Sequence, residues 1–144
     1  MSDDENKTVI RQFAEGGLNQ HSFDQIEGLL APNYTNYFPG APGPLNTAEF
    51  KKTLDDLFTG FPDIRLELHE MIAEGDAVAA RYSMYGTHTG TFLGIPATGK
   101  RISIGGTAFY HVKDGKMVDD YPGFDALSMM QQIGVVPTPE PVGV

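Results

Sequence analysis

The residues of this chain best suited to do chemistry are two neighbouring acids, Asp119 and Asp120, in the stretch DGKMVDDYPGFD that runs from 114 to 125. The stretch reads as a tight turn at Asp114-Gly115, a short strand, and then a Pro-Gly pair. Successive residues of a strand point to opposite faces, so only one of the two acids can look inward. A carboxylate on an apolar inner face is poorly solvated, and its pKa rises toward neutrality unless it is paired. That is what a general acid or base near neutral pH requires. Asp120 is the candidate proton carrier. The alternative is that Asp120 sits at the rim of the sheet, hydrated or bonded to a helix N-terminus.

The turn decides which way Asp120 points. KDGK suits a three-residue hairpin loop, Lys113-Asp114-Gly115, with Gly115 left-handed and forming a bulge. Val112 then faces Lys116, Tyr110 faces Val118, and Ala108 faces Asp120. Directly opposed residues share a face, so Ala108, Tyr110, Val118, Asp120 and Pro122 lie together on the apolar side. A two-residue turn would pair Phe109 with Asp120 instead and weaken the case. Pro122 lacks a ladder N–H, which suits a strand end.

Other side chains join as helpers. Tyr34, Asn36 and Tyr37 form a polar-aromatic cluster in NYTNYFPGAPGPLN, and Tyr110 and Tyr121 complete the candidate substrate-binding set. Aromatic rings carrying hydroxyls can line a pocket for a planar ligand. His88, in GTHTG, is either an acid or base at a pocket mouth or a ring that orders the loop by bonding backbone. His69 and His111 alternate with apolar residues and are expected to face outward. No HxH or HExxH spacing is present and the chain has no cysteine, so neither a metal site nor a thiolate nucleophile is expected. Gly86, Gly90, Gly94 and Gly99 are expected to be turn glycines, not a phosphate cradle.

These residues must be held by elements the sequence also outlines. Val9, Ile10, Phe13 and Gly17 recur at helical spacing, ending at Gly16-Gly17. Ser22 with Gln25 opens a second helix carrying Phe23, Ile26, Leu29 and Leu30. Asn46 with Glu49 opens a third, with Phe50, Leu54, Leu57 and Phe58 on one face. From residue 63 the period becomes two. Ile64, Leu66 and Leu68 alternate, but Met71-Ile72 are out of phase, which predicts a bulge near His69-Glu70. Val78 to Met84 and Ile102 to Val112 alternate likewise, and FDALSMMQQIG closes as a short helix ending at Gly134. Three helices followed by four hairpin-joined strands make an α+β fold, a cone-shaped curved antiparallel sheet wrapped around N-terminal helices. Such a cone leaves a cavity for a small ligand.

Size and charge narrow the function further. The 144 residues allow a single domain, expected over 1–134, with the Pro-rich tail 135–144 loose or pinned against a partner. A net charge of −9 disfavours nucleic acid and anionic membranes. No apolar run approaches the ~18 residues of a spanning helix. A cytoplasmic protein binding a hydrophobic small molecule is the simplest reading. The outer sheet face, with Ala79, Arg81, Ser83 and Tyr85, is a plausible homodimer surface.

The segments FPDI, GTHTGTFLGIPATGKRI and DGKMVDDYPGFDALSMMQQIG together resemble the SnoaL-like polyketide cyclases, within the NTF2-like, cystatin-like α+β barrel group, from about Val9 to Gly134. The resemblance implies ring closure by intramolecular aldol condensation of a polyketide ester, with no metal or cofactor. One inward Asp on the last strand serves as base and then acid. Members usually read Trp-Asp where this chain has Tyr121-Pro122. An assisting histidine falls near Ala108, and another appears as Tyr37. Two functions follow. One is a cyclase, isomerase or hydratase acting on a hydrophobic carbonyl compound, with Asp120 displaced two residues from the family position. The other is a small-molecule-binding protein of the same fold without catalysis.

Overall fold

Ser2, Ser22 and Asn46 each begin a helix by accepting a backbone N–H three residues on, from Glu5, Gln25 and Glu49 respectively. At Asn46 the Glu49 side chain also returns to the cap's own N–H, completing the capping box that the sequence predicts. The computed structural model describes residues 2–139. Its elements are α1 (Asp3–Arg11), a π-helical continuation (Gln12–Leu18), α2 (Phe23–Glu27), β1 (Leu30–Asn36), α3 (Thr47–Gly60), β2 (Arg65–Glu74), β3 (Ala77–Thr87), β4 (Arg101–Lys113), β5 (Lys116–Phe124) and α4 (Ala126–Gln132). Residues 140–144 of the expected tail lie outside the described residues. No helix among those described is long and apolar enough to cross a membrane.

The first helix does not stop at Gly16-Gly17. It runs on to Leu18 with its last turn widened, Asn19 N–H bonding to the Ala14 carbonyl. Gly17 serves packing here, because a Cβ on it would meet Ile26 of α2 at 2.5 Å. Val9, Ile10, Phe13 and Ala14 are buried along this helix, and Phe50, Leu54 and Leu57 along α3. Phe58, expected on the same face, is only partly buried and stacks on His21.

The strands form one open sheet in the order β1-β5-β4-β3-β2. Four of them are antiparallel, as expected, but the extended piece Leu30–Asn36 adds a fifth at the edge, parallel to β5. The sheet is therefore mixed. Pairing of β1 with β5 is interrupted between Leu30 and Thr35, where Pro32 has no N–H to give. The predicted bulge in β2 is present. Leu68 opposes Tyr82 and Glu70 opposes Arg81, leaving His69 unpaired, so Leu68 and Met71 both pack on the core. His69 turns outward to Ser83, and His111 lies outward beside Asp119. Arg81 is exposed on the outer face, where it pairs with Glu70.

Candidate active site

Asp114 and Gly115 both have positive φ, 52° and 76°, and Lys113 opposes Lys116. The hairpin thus turns in two residues, not three; Asp-Gly suits a primed two-residue turn as well as the bulged loop. The extra residue appears further along. Val112 opposes Met117 and His111 opposes Asp119, leaving Val118 out of register as a bulge on β5. Asp120 therefore opposes Tyr110, not Ala108, and Ala108 opposes Pro122. The two-residue shift keeps the parity, so Asp120 still points inward, on the face of Tyr110 and Pro122. Met117, not Val118, is the buried residue beside Val112.

Asp120 is 3% exposed. On β1 its register partner is Asn36, whose Nδ2 lies 3.3 Å from Asp120 Oδ2 and 2.9 Å from the Tyr34 hydroxyl. Tyr34 in turn donates to the same Oδ2 at 3.4 Å. Asp120 Oδ1 is buried and takes no hydrogen bond within the protein. Desolvation pushes the carboxyl up to about 8, against the hydrogen bond from Tyr34, and the Asp119 charge adds to the rise. Burial, then the Asp120 charge, raises the Tyr34 and Tyr110 hydroxyls well above the ordinary phenol value, and Tyr82 rises for the same two reasons. All three phenols remain protonated donors across neutral pH.

Asn36, Tyr82, Tyr110, Asp120 and Pro122 line one chamber of about 70 Å³, otherwise walled by apolar residues such as Phe13, Phe50 and Leu57. Tyr82 belongs to the inward-facing alternation from Val78 to Met84 but not to the candidate site set read from the sequence. It reaches the chamber because its partner on β4 is Gly106, where a Cβ would meet the Tyr82 ring at 2.6 Å and its hydroxyl at 2.7 Å. The Gly105-Gly106 pair inside an otherwise alternating strand was the available signal.

The structure thus brings together Tyr34, Asn36, Tyr110 and Asp120. Tyr37 and Tyr121 stand elsewhere. They stack face to face on the outer surface, rings 4.3 Å apart, each about two-fifths exposed. Tyr121 has to point away from the chamber, since its neighbours Asp120 and Pro122 point in. His88 does not line the chamber either. It is fully buried, its Nδ1 is 2.9 Å from Thr98 Oγ1, and its backbone is bonded to Lys100 and Gly99. Its loop is clamped to the end of α3, with Thr89 and Gly90 N–H groups on the Gly60 carbonyl. Gly90 is there for close approach and not for a turn, because a Cβ would lie 2.0 Å from the Thr59 oxygen. Gly86, likewise, is a strand residue of β3; Gly94 and Gly99 have the positive φ expected of turns.

A curved open sheet folded over helices, with a buried carboxyl in an apolar chamber, is an NTF2-like cone. The chain belongs to the SnoaL-like polyketide cyclase family, whose profile matches residues 8–133. It is 39% identical over 138 residues to the aklanonic acid methyl ester cyclase DauD of Streptomyces sp. (strain C5), covering 92% of this chain and 84% of that protein. It is 33% identical over 138 residues to the aklanonic acid methyl ester cyclase DnrD of Streptomyces peucetius, covering 92% and 93%. Among solved structures it resembles AclR from Streptomyces galilaeus, with a TM-score of 0.86 and 25% identity over 96% of this chain and 87% of that one. IdmH from Streptomyces antibioticus superposes with a TM-score of 0.80 and 25% identity over 90% and 99%.

Proposed function

We propose that this protein closes a carbocyclic ring in a polyketide ester by intramolecular aldol condensation, with Asp120 as both base and acid. The observation that carries this reading is an inward carboxyl, the one buried among the described residues, with one oxygen unpartnered, in a chamber lined by protonated phenols. In the carboxylate form Asp120 removes a proton from a carbon flanked by carbonyls, and the C–H electron pair becomes an enolate. The enolate carbon attacks a second carbonyl of the same molecule. A C–C bond forms and the carbonyl π pair moves onto oxygen. Asp120, now protonated, returns its proton to that alkoxide. The product is an isomer of the substrate, so the step needs no oxidant, reductant or co-reactant.

Each neighbour has a part. Tyr34 and Asn36 hold Oδ2 and leave Oδ1 to the substrate. Tyr82 and Tyr110 are the donors available to a developing oxyanion, in a site where such bonds are stronger than in water. Apolar walls fold the chain into the reacting geometry. Pro122 lines the same chamber, so the acid at Asp120 reaches it from one step of pleat, roughly 6–7 Å, along the strand from the usual position. His88 acts, in this reading, by fixing its loop.

Aklanonic acid methyl ester is the first compound to test, since the relatives named above are cyclases of that ester. Conversion to an isomer of equal mass, lost in Asp120→Asn, supports the proposal. Conversion retained in that variant would assign the proton transfer elsewhere.

We also propose a homodimer through the outer sheet face. Ile72, Ala79, Phe109 and Tyr121 follow one another across four strands in register, and all but Ala79 are exposed large apolar side chains. Phe109→Glu should halve the mass measured by light scattering; a wild-type monomer would dispose of the idea.

A further inference from the structure

The Asp120 chamber has a neighbour. An outer apolar pocket of about 400 Å³ lies between the loop after β1, the loop after β3 and α4, with Leu45, Phe92, Leu93 and Met130 in its walls. Two residues line both spaces, Phe38 and Phe124. Their rings are 5.3 Å apart and inclined at 59°. Phe38 follows β1 two residues after Asn36, and Phe124 ends β5 four residues after Asp120. The two strands that hold the acid therefore also carry the partition in front of it.

Size makes the partition matter. A chamber of 70 Å³ holds a couple of small groups, since one water takes about 30 Å³ of liquid, whereas drug-sized ligands fill pockets of about 300–1,000 Å³. A multi-ring polyketide fits the outer pocket and not the inner one. The backbone at Phe124 is fixed: Asp125 N–H bonds to Gly105, and a Cβ on Gly123 would lie 2.6 Å from the Thr107 oxygen. Passage from the outer pocket to the chamber thus depends on the rings themselves.

Building on the aldol reading, we propose that Phe38 and Phe124 form an aromatic septum that determines specificity. The ring system of the substrate rests in the outer pocket, and only its slender reacting arm passes between the two phenyl groups to Asp120. Closed, the septum keeps water from the carboxyl. Open, it admits an acyclic β-dicarbonyl arm and rejects a fused ring.

The chain contains no cysteine, so Asp120→Cys supplies a single thiol inside the chamber. Its reaction is followed with methyl methanethiolsulfonate, a slender reagent, and with monobromobimane, a bicyclic one. With the septum intact the bimane should react slowly. Adding Phe38→Ala or Phe124→Ala should accelerate the bimane at least about tenfold while the slender reagent changes little. Equal acceleration of both reagents, or no acceleration of the bimane, would overturn the septum. A second readout keeps Asp120 in place. Its carboxyl-carbon titration should move toward the ordinary aspartate range in Phe124→Ala and stay in Phe124→Leu; an unmoved titration in Phe124→Ala counts against the proposal. Neither measurement involves turnover, so an inactive enzyme leaves the septum testable, and a failed septum leaves the role of Asp120 intact.

Discussion

Asp119 and Asp120 are the same residue one bond apart, and the fold gives them opposite lives. Asp119 faces outward, where its carboxylate accepts from the His111 backbone N–H and lies 2.9 Å from the ring Nδ1. Asp120 faces inward, with one oxygen held by Tyr34 and Asn36 and the other without a partner. The pleat of β5 alone separates them. Acid chemistry therefore follows from the face on which a residue lands. The bulge at Val118 belongs to the proposed site because it decides that face.

The sharpest way to break this comparison is to neutralise each acid in turn. Asp120→Asn should lower kcat by about 10³-fold, the usual worth of a positioned proton carrier, whereas Asp119→Asn should leave it within about twofold. Comparable losses from both would show that the faces are not functionally distinct. Removing one hydroxyl from the inner set is the next largest effect. Tyr82→Phe or Tyr110→Phe should cost about 10- to 100-fold in kcat with little change in KM, as loss of an oxyanion donor does. A rise in KM alone would make them binding residues.

The pH dependence sharpens the contrast further. With its pKa raised to about 8, Asp120 binds a proton in the folded state that the unfolded chain has released above about pH 4. Its contribution is therefore fully present below the unfolded pKa and is lost as pH rises through about 8, a change on the order of a few kcal/mol. Denaturation of wild type and Asp120→Asn across that window should diverge accordingly, and kcat/KM should climb with pH to an apparent pKa near 8. A carboxyl-carbon titration near 4 would remove the basis for both. The smallest effect belongs to Asp119→Asn, which should change stability by less than about 1 kcal/mol, as expected of a partly exposed pair.

Much of this arrangement was legible in the residues. The phase slip from Leu68 to Met71 located the β2 bulge because a buried face tolerates no misregister. The inward aim of Asp120 was legible too, though through the wrong turn. Asp-Gly fits both turn lengths, and only the structure shows the bulge at Val118 that restores the parity. Tyr37 and Tyr121 are instructive in another way. Alternation alone excludes Tyr121 from any face that holds Asp120, so its place on the surface was readable and outweighed by its aromatic character. The parallel edge strand was not legible, since Leu30–Asn36 has no nearby partner in sequence and pairs across more than half the chain. The septum depends on where the chain leaves β1 and ends β5, which no local pattern encodes.

That parallel pairing has a consequence for how the proposed site comes into being. Asn36 and Asp120 are 84 residues apart and meet only when β1 docks on β5. Contacts of such separation form late, because the loop they close must first lose its entropy. A chain that has formed α1 to α3 and the β2–β3 hairpin still lacks the pairing of Asn36 with the proposed proton carrier. Catalytic competence should therefore be the last property acquired during refolding, lagging behind secondary structure, and it makes activity a direct clock for the closing of the sheet.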